Sequence, residues 1–213
     1  MNIVKRNVEL VSKQSYEEMI KENELAIRNC YKSEDKITDN SAERMVRMMI
    51  NSGHGAAIEF ANVTFHIVCD RACSHQLVRH RMASYMQMSQ RYVNYSKDKF
   101  NHSVPFIIPC NLKNYDKWEA FCSEAEETYF DMIEHGDKAE VARSVLPNCV
   151  ATSIYVRMNM RELRHFLSLR LSNHAQADIR DIANQMYNLV REHYPVYVED
   201  LTIEGVNCHG ETA

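Results

Sequence analysis

"ANVTFHIVCD", residues Ala61–Asp70, alternates Val63, Phe65, Ile67 and Cys69 with Thr64 and His66. A period of two sends successive side chains to opposite faces of an extended chain, so this segment reads as a strand buried on one face only. "CVATSIYVRMN" (Cys149–Asn159) repeats the alternation, and "NIVKRNVELVS" (Asn2–Ser12) reads as an opening strand. Between and after them the period changes to that of helices. "YEEMIKENELAIRNCYKS", "SAERMVRMMINSG", "YDKWEAFCSEAEETYFDMIEHG", "DKAEVARSVLP", "MRELRHFLSLRLS" and "AQADIRDIANQMYNLVREHY" each read as helical. In the last, Ile179, Ile182, Ala183, Met186, Leu189 and Val190 form an apolar stripe.

Helix boundaries carry their own signals. Asp70 can cap a short helix running through Arg79, and Gly53 follows the end of the second helix. Capping boxes are expected at Asn40 with Glu43, Asp137 with Glu140, and Asn159 with Glu162. Residues 81–109 read as irregular. The order of elements implies an α+β (α/β-type) fold, a central mostly antiparallel sheet with packed helices, in one domain over residues 1–213.

A chain of 213 residues that is 45% hydrophobic and 25% charged can fill a core, and its net charge of −4 disfavours a general grip on nucleic acid. No run approaches membrane length and no apolar leader opens the chain, so a cytoplasmic location is expected. The seven cysteines (Cys30, Cys69, Cys73, Cys110, Cys122, Cys149, Cys208) include no C-x-x-C pair and are expected as free thiols. Cys69, Cys73, His75 and His80 fit no standard zinc spacing, and no metal is expected.

Glycine occurs only five times and forms no phosphate-cradling loop. An anionic ligand must therefore be held by side chains. Two segments offer them. "LVRHRMASYMQMSQRYV" (Leu77–Val93) sets Arg79, His80, Arg81, Ser84, Ser89 and Arg91 among apolar residues. Three consecutive cationic residues point three ways, and a guanidinium fork suits two phosphate oxygens at once. In the helix from Met160, Leu163, Phe166, Leu167 and Leu171 share a face, with Arg170 projecting from it. Arg161 and His165 form a second polar stripe on the opposite side. A cation among buried neighbours needs an internal carboxylate or an anionic ligand, and spacing alone leaves both open. Composition and spacing favour a small phosphorylated ligand and stop short of a reaction. An RNA-binding surface built from Arg79, Arg81, Arg91, Tyr85 and Tyr92, or arginines bracing subunits, are the rival readings.

The stretch "RHRMASYMQMSQR" (Arg79–Arg91) matches R-H-R-x-x-S-x-x-x-x-S-x-R with every fixed position in register. It resembles the signature of the flavin-dependent thymidylate synthases. "GHGAAIEFANVTFHI", "VARSVLP" and "RELRHFLSLRLSNHAQADIR" resemble that family's other segments, in the same order, from about residue 24 to 192. The resemblance implies reductive methylation of dUMP to dTMP. Methylenetetrahydrofolate would supply the carbon, FAD would carry the hydride and NADPH would reduce it, in a homotetramer whose active sites lie between subunits.

Residue by residue, the resemblance carries dUMP binding onto Gln76, Leu77, Val78 and Arg79. It does the same for Gln87, Met88, Ser89, Gln90 and Arg91, with Ser89 and Arg91 near the phosphate, and for Arg143. Arg170 matches the arginine that stabilises uracil ionised at N3, which makes it the expected catalytic residue. FAD binding is carried onto His54, Ala56, Arg79, His80, Arg81 and Gln87, and onto Asn159, Met160, Arg161 and His165. Gln87 stands where some members carry glutamate, and His165 where some carry asparagine. Ala56 replaces a frequent hydroxyl residue and can offer only backbone. The family needs no enzyme nucleophile.

Overall fold

Strand β3 (Asn62–Asp70) and strand β6 (Ala151–Asn159) pair antiparallel along their whole length, from Asn62 opposite Asn159 to Asp70 opposite Ala151. A computed structural model describes residues 1–201. Strand β2 (Asn7–Leu10) adds to the far side of β3, and strand β4 (Ala83–Gln87) to the far side of β6, giving the order β2-β3-β6-β4, antiparallel throughout. Strand β1 (Asn2–Ile3) pairs in parallel with strand β5 (Pro105–Phe106), apart from this sheet.

The alternation read in β3 survives intact. Val63, Phe65, Ile67 and Cys69 are fully buried, as are Ile154 and Val156 of β6. Helices α1 (Tyr16–Tyr31), α2 (Ser41–Asn51), α6 (Met160–Arg170) and α7 (Ala177–His193) meet that apolar face. Leu163, Phe166 and Leu167 of α6, and Ile179, Ile182, Ala183, Met186 and Val190 of α7, join the same core. Each fully buried side chain of this size adds roughly 1.5–3 kcal/mol of transfer free energy. Tyr95, Val104, Phe106, Cys122, Tyr129 and Val150 form a second cluster under helix α4 (Tyr115–Glu134). The sheet's other face carries Met86 and Tyr155 outward.

The expected opening strand is broken. Its halves join different sheets, and the break brings Arg6 inward to Asp70 and Asp178. Strand β4 lies inside the segment expected to be irregular. Its pattern inverts the usual rule, with Met86 outward and 78% exposed while Gln87 turns inward to hydroxyl partners.

Caps also differ from expectation. Asn40 makes no side-chain cap, and Glu43 pairs with Arg47 instead. Helix α5 (Ala139–Ala142) starts after Lys138, so Asp137 is too early to cap it. Asn159 does accept from the Glu162 N–H, but the reciprocal half of the box is absent because the Glu162 carboxylate faces His80. Among the described residues the complete box is Ser15 with Glu18, an S-x-x-E signal not singled out above. Helix α3 (Arg71–Leu77) is capped by Asp70 as expected and ends slightly before Arg79. Gly53 closes α2 at φ +72, donating to Ile50 while His54 donates to Met49, a Schellman ending.

Cys30, Cys69, Cys73, Cys122 and Cys149 are free thiols, and Cys208 lies outside the described residues. Among the described residues, no helix is long and apolar enough to cross a membrane.

Candidate functional site

The turn between α3 and β4 is pinned from below. The Tyr85 hydroxyl stands 2.8 Å from the Leu77 carbonyl and 2.7 Å from that of His80. Burial pushes this phenol up to about 12, so it stays a hydroxyl and can donate. With the turn held there, Arg79 and Arg81 project to solvent and His80 tucks beneath them at 5% exposure.

The His80 ring faces α6. Its Nδ1 is 3.3 Å from the Glu162 carboxylate, and Arg170 Nε donates to its Nε2 across 3.2 Å. Phe166 meets it edge-on at 4.9 Å between centroids, and the His165 ring lies at 5.9 Å. A guanidinium can only donate, so Nε2 must be a bare acceptor and the proton must sit on Nδ1, facing Glu162. His80 is therefore neutral. Burial and then the charge of Arg170 push its pKa down, against the opposing pull of Glu162.

This arrangement bears on one of the two sequence readings of Arg170, the internal salt bridge. Among the described residues it pairs with no carboxylate, and its Nε donates to an imidazole. Its positive charge is anchored without being neutralised. The two stripes expected on opposite sides of α6 also meet, because His80 touches both Arg170 and the neighbourhood of His165.

At the other end of β4 lie Gln87 to Arg91, with Arg143 beside them. Ser89 starts a turn that accepts from the amides of Tyr92 and Val93. Arg91 pairs with Glu140 at 2.9 Å and lies over the Tyr92 ring, and Arg143 donates to the Glu140 carbonyl. Glu140 thus brings Arg91 and Arg143 together, both exposed. The amide nitrogen of Gln87 is spent on Ser74 and Thr152, and Gln90 is buried. Gln76 donates to Gln176. Leu77 is fully buried, so only its backbone is available, whereas Val78 is exposed and Met88 half-buried. Ala83 and Gln87 bound β4. At ~3.3 Å per residue the strand that lies between the two arginine groups is roughly 13 Å long.

A third group surrounds the junction of β6 and α6. Asn159 caps α6, Met160 is fully buried, and the exposed Arg161 pairs with Glu59 at 2.6 Å. Its side chain crosses Gly55, in the 3-10 turn Gly55–Ile58 that follows His54 and contains Ala56. His54 and Ala56 also line an apolar cavity of about 250 Å³ with Ile27, Met49 and Phe60.

Sequence reasoning missed Glu162 and Tyr85 as site-building residues. In the sequence Glu162 reads as part of a cap, and its partner His80 lies on a distant segment that no local spacing connects to it.

The family model described as thymidylate synthase complementing protein matches residues 9–196. A flavin-dependent thymidylate synthase of Pyrococcus furiosus is 42% identical over 157 residues, 71% of this chain and 64% of that protein. One from Geobacter sulfurreducens is 39% identical over 183 residues, 83% of this chain and 79% of that protein. The match thus spans under two thirds of the length of the Pyrococcus relative. The crystal structure of a UMP/dUMP methylase from Streptomyces cacaoi, bound with 5-Br dUMP, superposes with a TM-score of 0.78 at 23% identity. It covers 93% of this chain and 96% of that one, a likeness of fold.

Proposed function

The chain belongs to the thymidylate synthase complementing protein family, and on that premise we propose that it is a flavin-dependent thymidylate synthase, methylating dUMP to dTMP. Methylenetetrahydrofolate is the carbon donor, NADPH the reductant and FAD the cofactor. When bound, FAD supplies the hydride that completes the methyl group.

The observation that carries this reading is Arg170, a guanidinium fixed by a neutral imidazole, with no described carboxylate paired to it. Its terminal amino groups are the donors that meet uracil and stabilise negative charge developing on the ring, which activates C5. Ser89, Arg91 and Arg143 take the phosphate, where Glu140 yields to a more highly charged partner. Gln76 to Arg79 and Gln87 to Arg91 line the nucleotide.

The residues present fit FAD. Gly55 leaves room for the Arg161 side chain to lie directly on its backbone, and the apolar cavity opens beside His54 and Ala56. Arg79, His80 and Arg81, with Gln87, Asn159, Met160, Arg161 and His165, complete the cofactor's surroundings.

No thiolate is called upon. The hydrogen bond with Cys69 and burial raise the Cys73 pKa, and burial pushes Cys122 up to about 12 and also raises Cys149. These sulfurs are poor nucleophiles at neutral pH. The two arginine groups at opposite ends of β4 are joined into one site by a neighbouring subunit of a homotetramer, in the cytoplasm, with Met86 and Tyr155 on the sheet face that receives it.

The test is colour followed by product. Purified protein should be yellow or take up added FAD, bleach with NADPH under anaerobic conditions, and form dTMP from dUMP and methylenetetrahydrofolate. A colourless protein that refuses flavin ends this reading.

A further inference from the structure

We propose that Glu162 is a positioning residue for Arg170, acting through His80: its carboxylate accepts a hydrogen bond from Nδ1–H and so keeps the ring's proton there, which leaves Nε2 bare to hold the Arg170 Nε–H. The inference rests on the proposed function only for its consequence, since the relay itself is made of this chain's own atoms. Glu162 is 8% exposed and lies 3.3 Å from Nδ1, and Nε2 lies 3.2 Å from Arg170 Nε.

Imidazole is a two-ended device. Which nitrogen carries the proton is set by the partner of the other. Without an acceptor at Nδ1, His80 is free to take its proton on Nε2. Two N–H groups would then face each other, and Arg170 would lose its anchor. With Glu162 in place, the Nε of Arg170 is occupied and the guanidinium plane is set by the ring. Its two terminal amino groups then remain for an anionic ligand as a paired fork.

The other groups facing His80 keep the ring neutral and in place. The charge of Arg170 and the nearby His165 oppose an imidazolium, Phe166 packs its edge against the ring, and the Tyr85 hydroxyl holds the backbone carbonyl. Glu162 sits at the third position of α6, with its own N–H taken by Asn159, so its side chain starts from a fixed backbone.

The experiment uses the full-length chain with histidine and arginine labelled with ¹⁵N. His80 is identified by the signal lost in His80→Gln. The wild-type protein should show His80 as the neutral Nδ1–H tautomer and a slowly exchanging Arg170 Nε–H. In Glu162→Ala, His80 should move to the Nε2–H form and the Arg170 signal should exchange rapidly. Glu162→Gln keeps an oxygen acceptor and should restore both in part. A wild-type His80 in the Nε2–H or charged form, or an unmoved tautomer in Glu162→Ala, overturns the proposal. Calorimetric titration with dUMP should then show about 10-fold weaker binding in Glu162→Ala, the loss typical of a charge-assisted contact, with Glu162→Gln between. If the wild type shows the relay but binds no dUMP, the functional reading fails while the positioning of Arg170 by Glu162 stands.

Discussion

Gly55 lies against Arg161 so closely that a methyl group on its α-carbon would stand 3.0 Å from the arginine Nε. The contact joins the turn after α2 to the first turn of α6, two of the segments proposed to hold the cofactor. It also separates two effects that most substitutions mix. The Gly55 backbone is not left-handed, so alanine is conformationally acceptable there, and only the position of Arg161 has to give.

Gly55→Ala should therefore leave thermal stability nearly unchanged and weaken FAD binding about 5-fold, the equivalent of one hydrogen bond of ~1 kcal/mol. Fluorescence titration with FAD reads this directly. Unchanged affinity would remove Arg161 from the cofactor site.

Gly53→Ala makes the opposite prediction. Space is open around this residue, yet its φ of +72 is costly for any side chain. The substitution should destabilise the protein by about 1 kcal/mol, measured by chemical denaturation, with ligand affinities unaltered.

Arg91→Ala should cost roughly 1.5–3 kcal/mol in dUMP affinity while FAD affinity holds. Its pairing with Glu140 is largely solvated, so folding stability should change by less than about 1 kcal/mol. An unaltered dUMP titration would contradict the phosphate assignment.

Arg170→Ala is expected to abolish dTMP formation more severely than it weakens flavin binding, because the lost charge acts on the developing uracil anion. Single-turnover formation of dTMP, compared with FAD affinity on the same preparation, makes the distinction. Parallel losses in both would assign Arg170 a structural role.

His80 predicts a pH dependence. Its folded pKa lies below the ordinary 6.5 because burial and Arg170 disfavour the charged ring. A depressed value means that the unfolded chain binds the proton more readily. The stabilisation is thus complete above about pH 6.5 and is lost as pH falls through the folded value. Protonation also removes the acceptor that Arg170 uses. Unfolding free energy should fall between about pH 7 and pH 5 more steeply in the wild type than in His80→Gln. Equal slopes would show that another group governs the acid limb.

Much of the fold was legible because its signals are local. Alternation in β3 and β6 and the helical stripes of α6 and α7 reflect the pitch of the backbone itself, and burial followed them residue by residue. Strand β4 escaped because one outward position carries Met86 while its inward Gln87 is satisfied by Ser74 and Thr152, which come from other segments. Hydrophobic patterning cannot signal a polar side chain whose partners are supplied by tertiary contact.

The same boundary runs through the site. The arginine-rich segment announced itself by charge placed among apolar residues, and helical spacing put Arg170 on the buried side of α6. What no spacing contained was the His80 ring, 90 residues away, wedged between Glu162 and Arg170. Residue order sets which groups are present and the local geometry each can adopt. The protonated nitrogen of His80 and the charge of Arg170, paired with no described carboxylate, depend instead on neighbours that come together only when α6 packs onto the sheet, because an electrostatic environment is a property of distance in space.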